Sequence, residues 1–285
     1  MANPRNYYRP TTLEDALERA IHPGSIALAG GALTLGGIVL PYETLVDLQA
    51  IPALHQIEVR DGMITIGGAV SLQQVVRLSS APEVLKQSLT RALPLNIRNG
   101  ASVGESLTVA DPPPEWLATL VALGATIEHA GKLGSRDQDT FWEQPVAEFV
   151  TLLNEHGHPY QGIVKALNLP PLNNDTVVGI AHVARTPADR PIVNASARLR
   201  LDEDGSVTEA HVAICGASKT PVLTLELSAL AGKALTDASM AVAIESIPER
   251  VHPVGDYLGS VEYRQQMASL CVRRALENCR EQHQS

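Results

Sequence analysis

The sequence has few aromatic residues, few cysteines and a deficit of positive charge. Aromatic residues make up 4% of the 285 residues, a low content for a protein that stacks flat ligands on aromatic rings. The three cysteines, Cys215, Cys271 and Cys279, are too few and too scattered for a disulfide framework or a CxxC metal site. They predict reduced thiols in a cytoplasmic protein.

Long apolar runs and nucleic-acid-binding charge are also lacking. No run approaches the roughly 20 apolar residues of a membrane-spanning helix, and the N-terminus has no basic-then-apolar signal pattern. The net charge of −9 argues against a nucleic-acid partner, because phosphate contacts need Lys and Arg. The motifs GxGxxG and GxxxxGK[ST] do not occur, so dinucleotide and P-loop sites of the common kinds are not indicated.

Hydrophobic periodicity, with 45% apolar residues, predicts a mixed helix and strand protein with a sizeable core. The apolar run Ile26–Ala29 predicts a buried strand that enters the turn Gly30-Gly31, and a second glycine pair follows at Gly36-Gly37. Alternation around Asp61-Gly62 predicts a hairpin over 56–70. The other predicted strands are 45–48, 125–128, 177–185, 192–201 and 207–214. The predicted helices are Leu13–Ala20, 71–76, 82–93, 111–124, 146–153, 222–232, 236–246 and 260–282, and Leu95–Ala110 is predicted to be an ordered loop.

Two polar, glycine-containing stretches are candidate anion sites. The Gly30-Gly31 turn and the stretch Arg98–Ser106 both contain glycines, which have no Cβ to keep an anion away from the backbone N–H groups. Each stretch alone is more typical of a structural turn or a plain connection. Two of them in one domain favour a diphosphate ligand, because a dinucleotide needs donors that converge from separate segments.

The order of several segments resembles a known family over nearly the whole chain. Tyr8–Leu17, Ala29–Gly31 and Leu45–Leu48 resemble the start of the FAD-binding medium subunits of molybdenum hydroxylases, the carbon monoxide dehydrogenase and xanthine dehydrogenase relatives. Further similar segments are Ile64–Leu72, Arg98–Gly104, Leu120–Ala125 and Gly255–Arg264.

The resemblance implies an α+β fold of two domains. Residues 1–172 would form a PCMH-type FAD-binding domain with subdomains at about 1–50 and 51–172. Residues 173–285 would form a smaller domain with a three-stranded antiparallel sheet and a helical cluster.

The resemblance also implies a function in electron transfer. FAD, held non-covalently, would accept electrons from iron–sulfur clusters and pass them to an external acceptor. The molybdenum cofactor and the 2Fe-2S clusters would lie on partners only, a large and a small subunit, in a dimer of heterotrimers. This chain would then hold no metal and no catalytic acid or base of its own.

The FAD-binding residues follow from the same resemblance. A first segment would run along the diphosphate, and a second would face it. Glu115 stands where the family has Asp near the polar portion of the flavin, and His182 matches a position that often holds Lys near the ring. The two segments consist of Ala27, Leu28, Ala29, Gly30, Gly31, Ala32, Leu33 and Thr34, and of Ser102, Val103, Gly104, Glu105 and Ser106.

Four positions depart from the family pattern. Glu105 replaces a glycine and brings a carboxylate toward the diphosphate, where like-charge repulsion costs on the order of a few kcal/mol. Ser106 replaces an amide side chain, and Ala32 and Leu33 replace polar residues. Glu105 and Ala32 therefore motivate an alternative, a flavin-free subunit that only scaffolds its partners. An oxidase with covalently held FAD is a third hypothesis, for which His22 is the one nearby attachment residue.

Overall fold

A computed structural model describes residues 4–34, 42–133, 136–156, 160–186 and 189–284, without the side chains of residues 136–139. The glycine pair Gly36-Gly37 lies outside the described residues. The chain divides into two compact units. Unit one comprises Met1–Ala81, Leu93–Pro112 and Ala125–Pro171, and unit two comprises Pro82–Ala92, Pro113–Gly124 and Leu172–Ser285.

The described residues form both helices and strands. The helices are α1 (Leu13–Ala20), α2 (Leu72–Arg77), α3 (Glu83–Ala92), α4 (Leu95–Gly100), α5 (Val103–Thr108), α6 (Pro114–Ala122), α7 (Val146–His156), α8 (Asp237–Glu245), α9 (Ile247–Arg250) and α10 (Val261–Gln284). The strands are β1 (Asn6–Tyr8), β2 (Ser25–Leu28), β3 (Thr44–Asp47), β4 (Ile57–Arg60), β5 (Met63–Gly67), β6 (Thr126–Leu133), β7 (Arg136–Pro145), β8 (Gln161–Leu169), β9 (Thr176–Val183), β10 (Val193–Leu201), β11 (Val207–Cys215) and β12 (Leu223–Glu226). None of the helices within these described ranges is long and apolar enough to cross a membrane.

Unit one contains two sheets. A three-stranded parallel sheet has the order β1-β3-β2, and a five-stranded antiparallel sheet has the order β4-β5-β8-β6-β7. The predicted hairpin is the β4–β5 pair, with Arg60 opposite Met63. Asp61 and Gly62 both have positive φ, 51° and 81°, as a two-residue turn that matches the strand twist requires.

Unit two is built around a four-stranded antiparallel sheet of order β12-β11-β10-β9. Successive side chains of a strand point to opposite faces. On β10, Asn194 and Ser196 bond to α6, through the Pro114 carbonyl and the Thr119 hydroxyl. Their neighbours Ala195 and Ala197 lie in the apolar cluster that α10 completes with Ala275 and other residues. The antiparallel sheet confirms the predicted fold class, and β12 adds a strand to the three expected.

Two sequence predictions of secondary structure were wrong, and the strands β7 and β8 were not predicted. The stretch Leu95–Ala110 contains α4 and α5 instead of a continuous loop. Its Ser and Gly residues are poor helix formers, but Ser102 caps α5 by accepting the Glu105 N–H, and this bond favours a helix start. The stretch 222–232 forms β12 and a short 3-10 turn instead of a helix, because Leu223–Glu226 pair with the edge of β11.

The expected division of the chain at residue 172 stays a prediction. By their contacts, α3 and α6, which precede residue 172, cluster with unit two. The four-stranded sheet and α6 bury each other, and Trp116, Leu117 and Leu120 of α6 are at most 1% exposed.

Candidate functional site

The first segment (Ala27–Thr34) and the second segment (Ser102–Ser106) lie side by side in unit one. Gly30 contacts Gly100, which ends α4, so closely that a Cβ on Gly30 would lie 2.1 Å from the Gly100 carbonyl oxygen. The Ala32 N–H donates to the same oxygen at 3.3 Å. The turn therefore needs glycine at position 30, because any side chain there would push the two segments apart.

Backbone hydrogen bonds fix the second segment against the five-stranded sheet. The Val103 N–H donates to the Val70 carbonyl at 2.9 Å, and the Gly104 N–H donates to the Gly68 carbonyl at 2.8 Å. Ser102 and Glu105 form a capping box, in which each side chain accepts the backbone N–H of the other residue. The first turn of α5, and with it the Glu105 side chain, is therefore held in a defined place.

The Glu105 carboxylate lies among backbone N–H groups of the first segment. Its Oε1 accepts from the Leu33 N–H at 3.0 Å and from the Thr34 N–H at 2.8 Å. Its Oε2 accepts from the Gly31 N–H at 3.1 Å. Glu105 is 5% exposed, so these bonds are shielded from water. We call the N–H groups of Gly31, Leu33 and Thr34 the anion cradle, because they converge on one negatively charged group.

A cavity of about 310 Å³ opens beside the anion cradle. The first segment contributes Ala27, Ala29, Leu33 and Thr34 to its wall, and the second contributes Ser102, Gly104 and Glu105. The two predicted segments thus meet at one cavity within one unit. Leu28, Val103 and Ser106 are buried beside it, and the Ser106 hydroxyl donates to the Val103 carbonyl at 2.7 Å.

Glu115 lies in unit two, in the first turn of α6, and is 6% exposed. Burial raises the pKa of Glu115 to about 6, although Arg190 and Arg91 oppose this shift. Among the described residues, no donor reaches its buried Oε2. Glu115 therefore keeps a free acceptor oxygen and an elevated proton affinity.

His182 lies on β9 of the same unit, next to Arg91. The Arg91 guanidinium donates to His182 Nδ1 at 3.1 Å, which leaves that nitrogen as an acceptor. Burial, Arg91 and Arg274 all lower the pKa of His182. The ring is therefore held neutral by its surroundings.

Tyr160 is one of several cavity residues that the sequence analysis did not predict. Its hydroxyl donates to the Ala130 carbonyl at 3.0 Å, so the neighbouring His129 Nδ1, at 2.7 Å, must carry the proton that it shares with this oxygen. Burial lowers the pKa of His129 to about 4, so the ring is neutral. No local sequence pattern marks Tyr160 as a site residue. It directly precedes β8, and only the pairing of β8 with β6 brings it next to His129.

Family comparisons match both parts of the chain. A profile described as the FAD binding domain in molybdopterin dehydrogenase matches residues 3–172. A second profile, described as the CO dehydrogenase flavoprotein C-terminal domain, matches residues 180–279. The first match alone spans more than half of the chain.

Individual relatives and solved structures agree with these profiles. Subunit alpha of the 6-hydroxypseudooxynicotine dehydrogenase complex of Paenarthrobacter nicotinovorans is 27% identical, over 81% of this chain and 78% of that relative. The carbon monoxide dehydrogenase medium chain of Afipia carboxidovorans is 26% identical, over 96% of each. The fold is similar to that of a chain of Hydrogenophaga pseudoflava carbon monoxide dehydrogenase, with a TM-score of 0.85 and 19% identity over 99% of both chains. It is also similar to a chain of quinoline 2-oxidoreductase from Pseudomonas putida 86, with a TM-score of 0.83 and 21% identity over the whole of both chains.

Proposed function

Because this chain belongs to the family of FAD-binding medium subunits of molybdenum hydroxylases, we propose that its first and second segments hold FAD by the diphosphate. The chain is the flavoprotein subunit of such an oxidoreductase. The matched family is described by its FAD-binding domain, and the flavin-free scaffold is therefore not favoured.

The anion cradle is the observation that carries this proposal. Three backbone N–H groups of the first segment converge on one carboxylate within 3.1 Å, which is the donor set that a phosphate group needs. Both segments line the cavity beside the cradle. We expect Ala32 and Leu33 to be compatible with FAD binding, because neither residue removes a backbone N–H group.

Bound FAD would accept electrons from the iron–sulfur clusters of a partner subunit and pass them to an external acceptor. The residues of this chain orient the diphosphate and exclude water from it, and no acid or base of the chain takes part in substrate chemistry. Glu115 and His182 stay predictions, because only the family resemblance assigns them to the flavin.

Partner subunits complete the enzyme. Relatives are named as chains or subunits of larger complexes, such as the carbon monoxide dehydrogenase medium chain. We propose a large molybdenum-cofactor subunit and a small iron–sulfur subunit as partners, in a dimer of heterotrimers. The three cysteines are buried and free, which supports a reduced, cytoplasmic environment.

Titration of the purified full chain tests the proposal. We expect FAD to bind saturably, with quenching of flavin fluorescence, and ADP to compete with it, because both carry the diphosphate. Riboflavin, which lacks phosphate, is the matched control and should bind much more weakly. Failure of FAD to bind at any concentration, to this chain and to its Glu105 variants alike, would overturn the proposal.

A further inference from the structure

The anion cradle is already filled by a group of the chain itself. Three of the four N–H groups from Gly31 to Thr34 donate to Glu105, and the fourth, that of Ala32, donates to the Gly100 carbonyl. This stretch therefore has no N–H group left for a ligand while Glu105 stays in place. A carboxylate resembles one phosphate group in its negative charge and its several acceptor sites.

Helix capping alone does not account for the position of Glu105. Its bond to the Ser102 N–H, the capping bond, is the longest of its four at 3.4 Å. The three shorter bonds reach a segment more than 70 residues away in sequence. The neighbouring helix α2 has the same capping box, and its Gln74 caps the Ser71 N–H at 2.9 Å with a neutral amide. A cap in this unit therefore needs no charge.

We propose that Glu105 is a built-in competitor for the diphosphate, an inference that rests on the FAD-binding function proposed above. In the flavin-free chain its carboxylate holds the first segment in the binding conformation. FAD binds only when the side chain leaves the cradle, since two anions cannot share the same donors. Glu105 thus sets a lower FAD affinity for this chain than its backbone alone would give.

Two substitutions remove the competing charge. Glu105→Gln keeps the size of the side chain, but its NH2 group replaces one acceptor oxygen and cannot accept from the N–H groups that it faces. Glu105→Ala removes the side chain beyond Cβ and suits a helical position. Glu18→Gln, on the exposed face of α1 in the same unit, changes the net charge equally and is the matched control.

The experiment compares FAD and ADP titrations of the full-length parent and the three variants. We expect both Glu105 variants to bind FAD and ADP about tenfold more tightly than the parent, or tighter still. Glu18→Gln should bind like the parent. If the parent binds FAD and the Glu105 variants bind no more tightly, Glu105 is only a structural brace and the inference falls, while the proposed function stands. If none of the four proteins binds FAD, both fall.

A second measurement follows amide hydrogen exchange in the parent and in Glu105→Ala. Amide hydrogen exchange in the flavin-free parent should be slow at Gly31, Leu33 and Thr34, because Glu105 protects these N–H groups. In Glu105→Ala the same amides should exchange faster and become protected again when FAD is added. Fast exchange of these amides in the flavin-free parent would show that Glu105 does not occupy the cradle, and would overturn the inference.

Discussion

Two buried glutamates show how backbone surroundings decide the chemistry of one side chain. Glu105 and Glu115 are 5% and 6% exposed. Glu105 accepts four backbone N–H groups, and these bonds replace the water that burial removes. Glu115 has a buried oxygen that no donor among the described residues reaches, and its pKa rises to about 6. The same residue type is fully hydrogen-bonded by backbone donors at one site and has a raised proton affinity at the other.

The raised pKa of Glu115 predicts a pH-dependent cost to stability. Its folded-state pKa of about 6 lies above the ordinary value of 4.5, so the folded chain binds more protons than the unfolded chain between these pH values. This free-energy cost is absent below the unfolded-state pKa of 4.5 and grows as the pH rises. It is complete above the folded-state pKa of about 6, where it amounts to roughly 2 kcal/mol.

Glu115→Gln removes this cost. Urea unfolding at the two ends of this range should show the variant gaining roughly 2 kcal/mol on the parent as the pH rises from below 4.5 to above 6. Glu18→Gln is the exposed control, and its stability difference from the parent should change much less. Parallel pH curves for the parent and Glu115→Gln would mean that Glu115 titrates normally.

At the scale of elements, helix α5 connects local sequence with the site. Its capping box lies in a stretch whose Ser, Gly and Asn content predicted a loop. The box follows from the order of Ser102 and Glu105, but its role in holding the first segment depends on the packing of α5 against Val70 and Gly68. A short helix of this kind is stabilised mainly by such tertiary contacts.

The capping boxes of α2 and α5 provide a matched pair of variants. Ser102→Ala and Ser71→Ala should each lower the free energy of unfolding by about 1 kcal/mol, because each leaves a helix N–H without its acceptor. Only Ser102→Ala should speed amide exchange at Leu33 and Thr34, because the Glu105 side chain that accepts these two N–H groups extends from α5. Equal exchange rates of these two amides in both variants would mean that the cap of α5 does not hold Glu105 in the anion cradle.

At the scale of the whole molecule, the chain builds unit two from three separate segments. Helix α6 covers one face of the four-stranded sheet, where Asn194 and Ser196 bond to it, and α10 covers the other. Residues 113–124 are therefore part of the core of unit two, although they lie in the stretch that the FAD-binding profile matches.

A fragment of residues 173–285 should therefore fail to fold cooperatively. It keeps the sheet and α10 but lacks α6, whose buried Trp116, Leu117 and Leu120 cover the other face. We expect the fragment to unfold without a sharp thermal transition and to bind a hydrophobic dye, whereas the full chain melts cooperatively. A fragment that melts as sharply as the full chain would show that the sheet is stable without α6.

The sequence by itself determined most of the helices and strands, the Asp61-Gly62 hairpin and the family. These features depend on residues close together in the chain, where periodicity and turn chemistry act. Only the tertiary structure decided that Leu95–Ala110 is helical, that β12 extends the second sheet, and that Glu105 fills the anion cradle. Glu105 and Thr34 are 71 residues apart, and such a contact depends on the packing of whole elements, which no local pattern encodes.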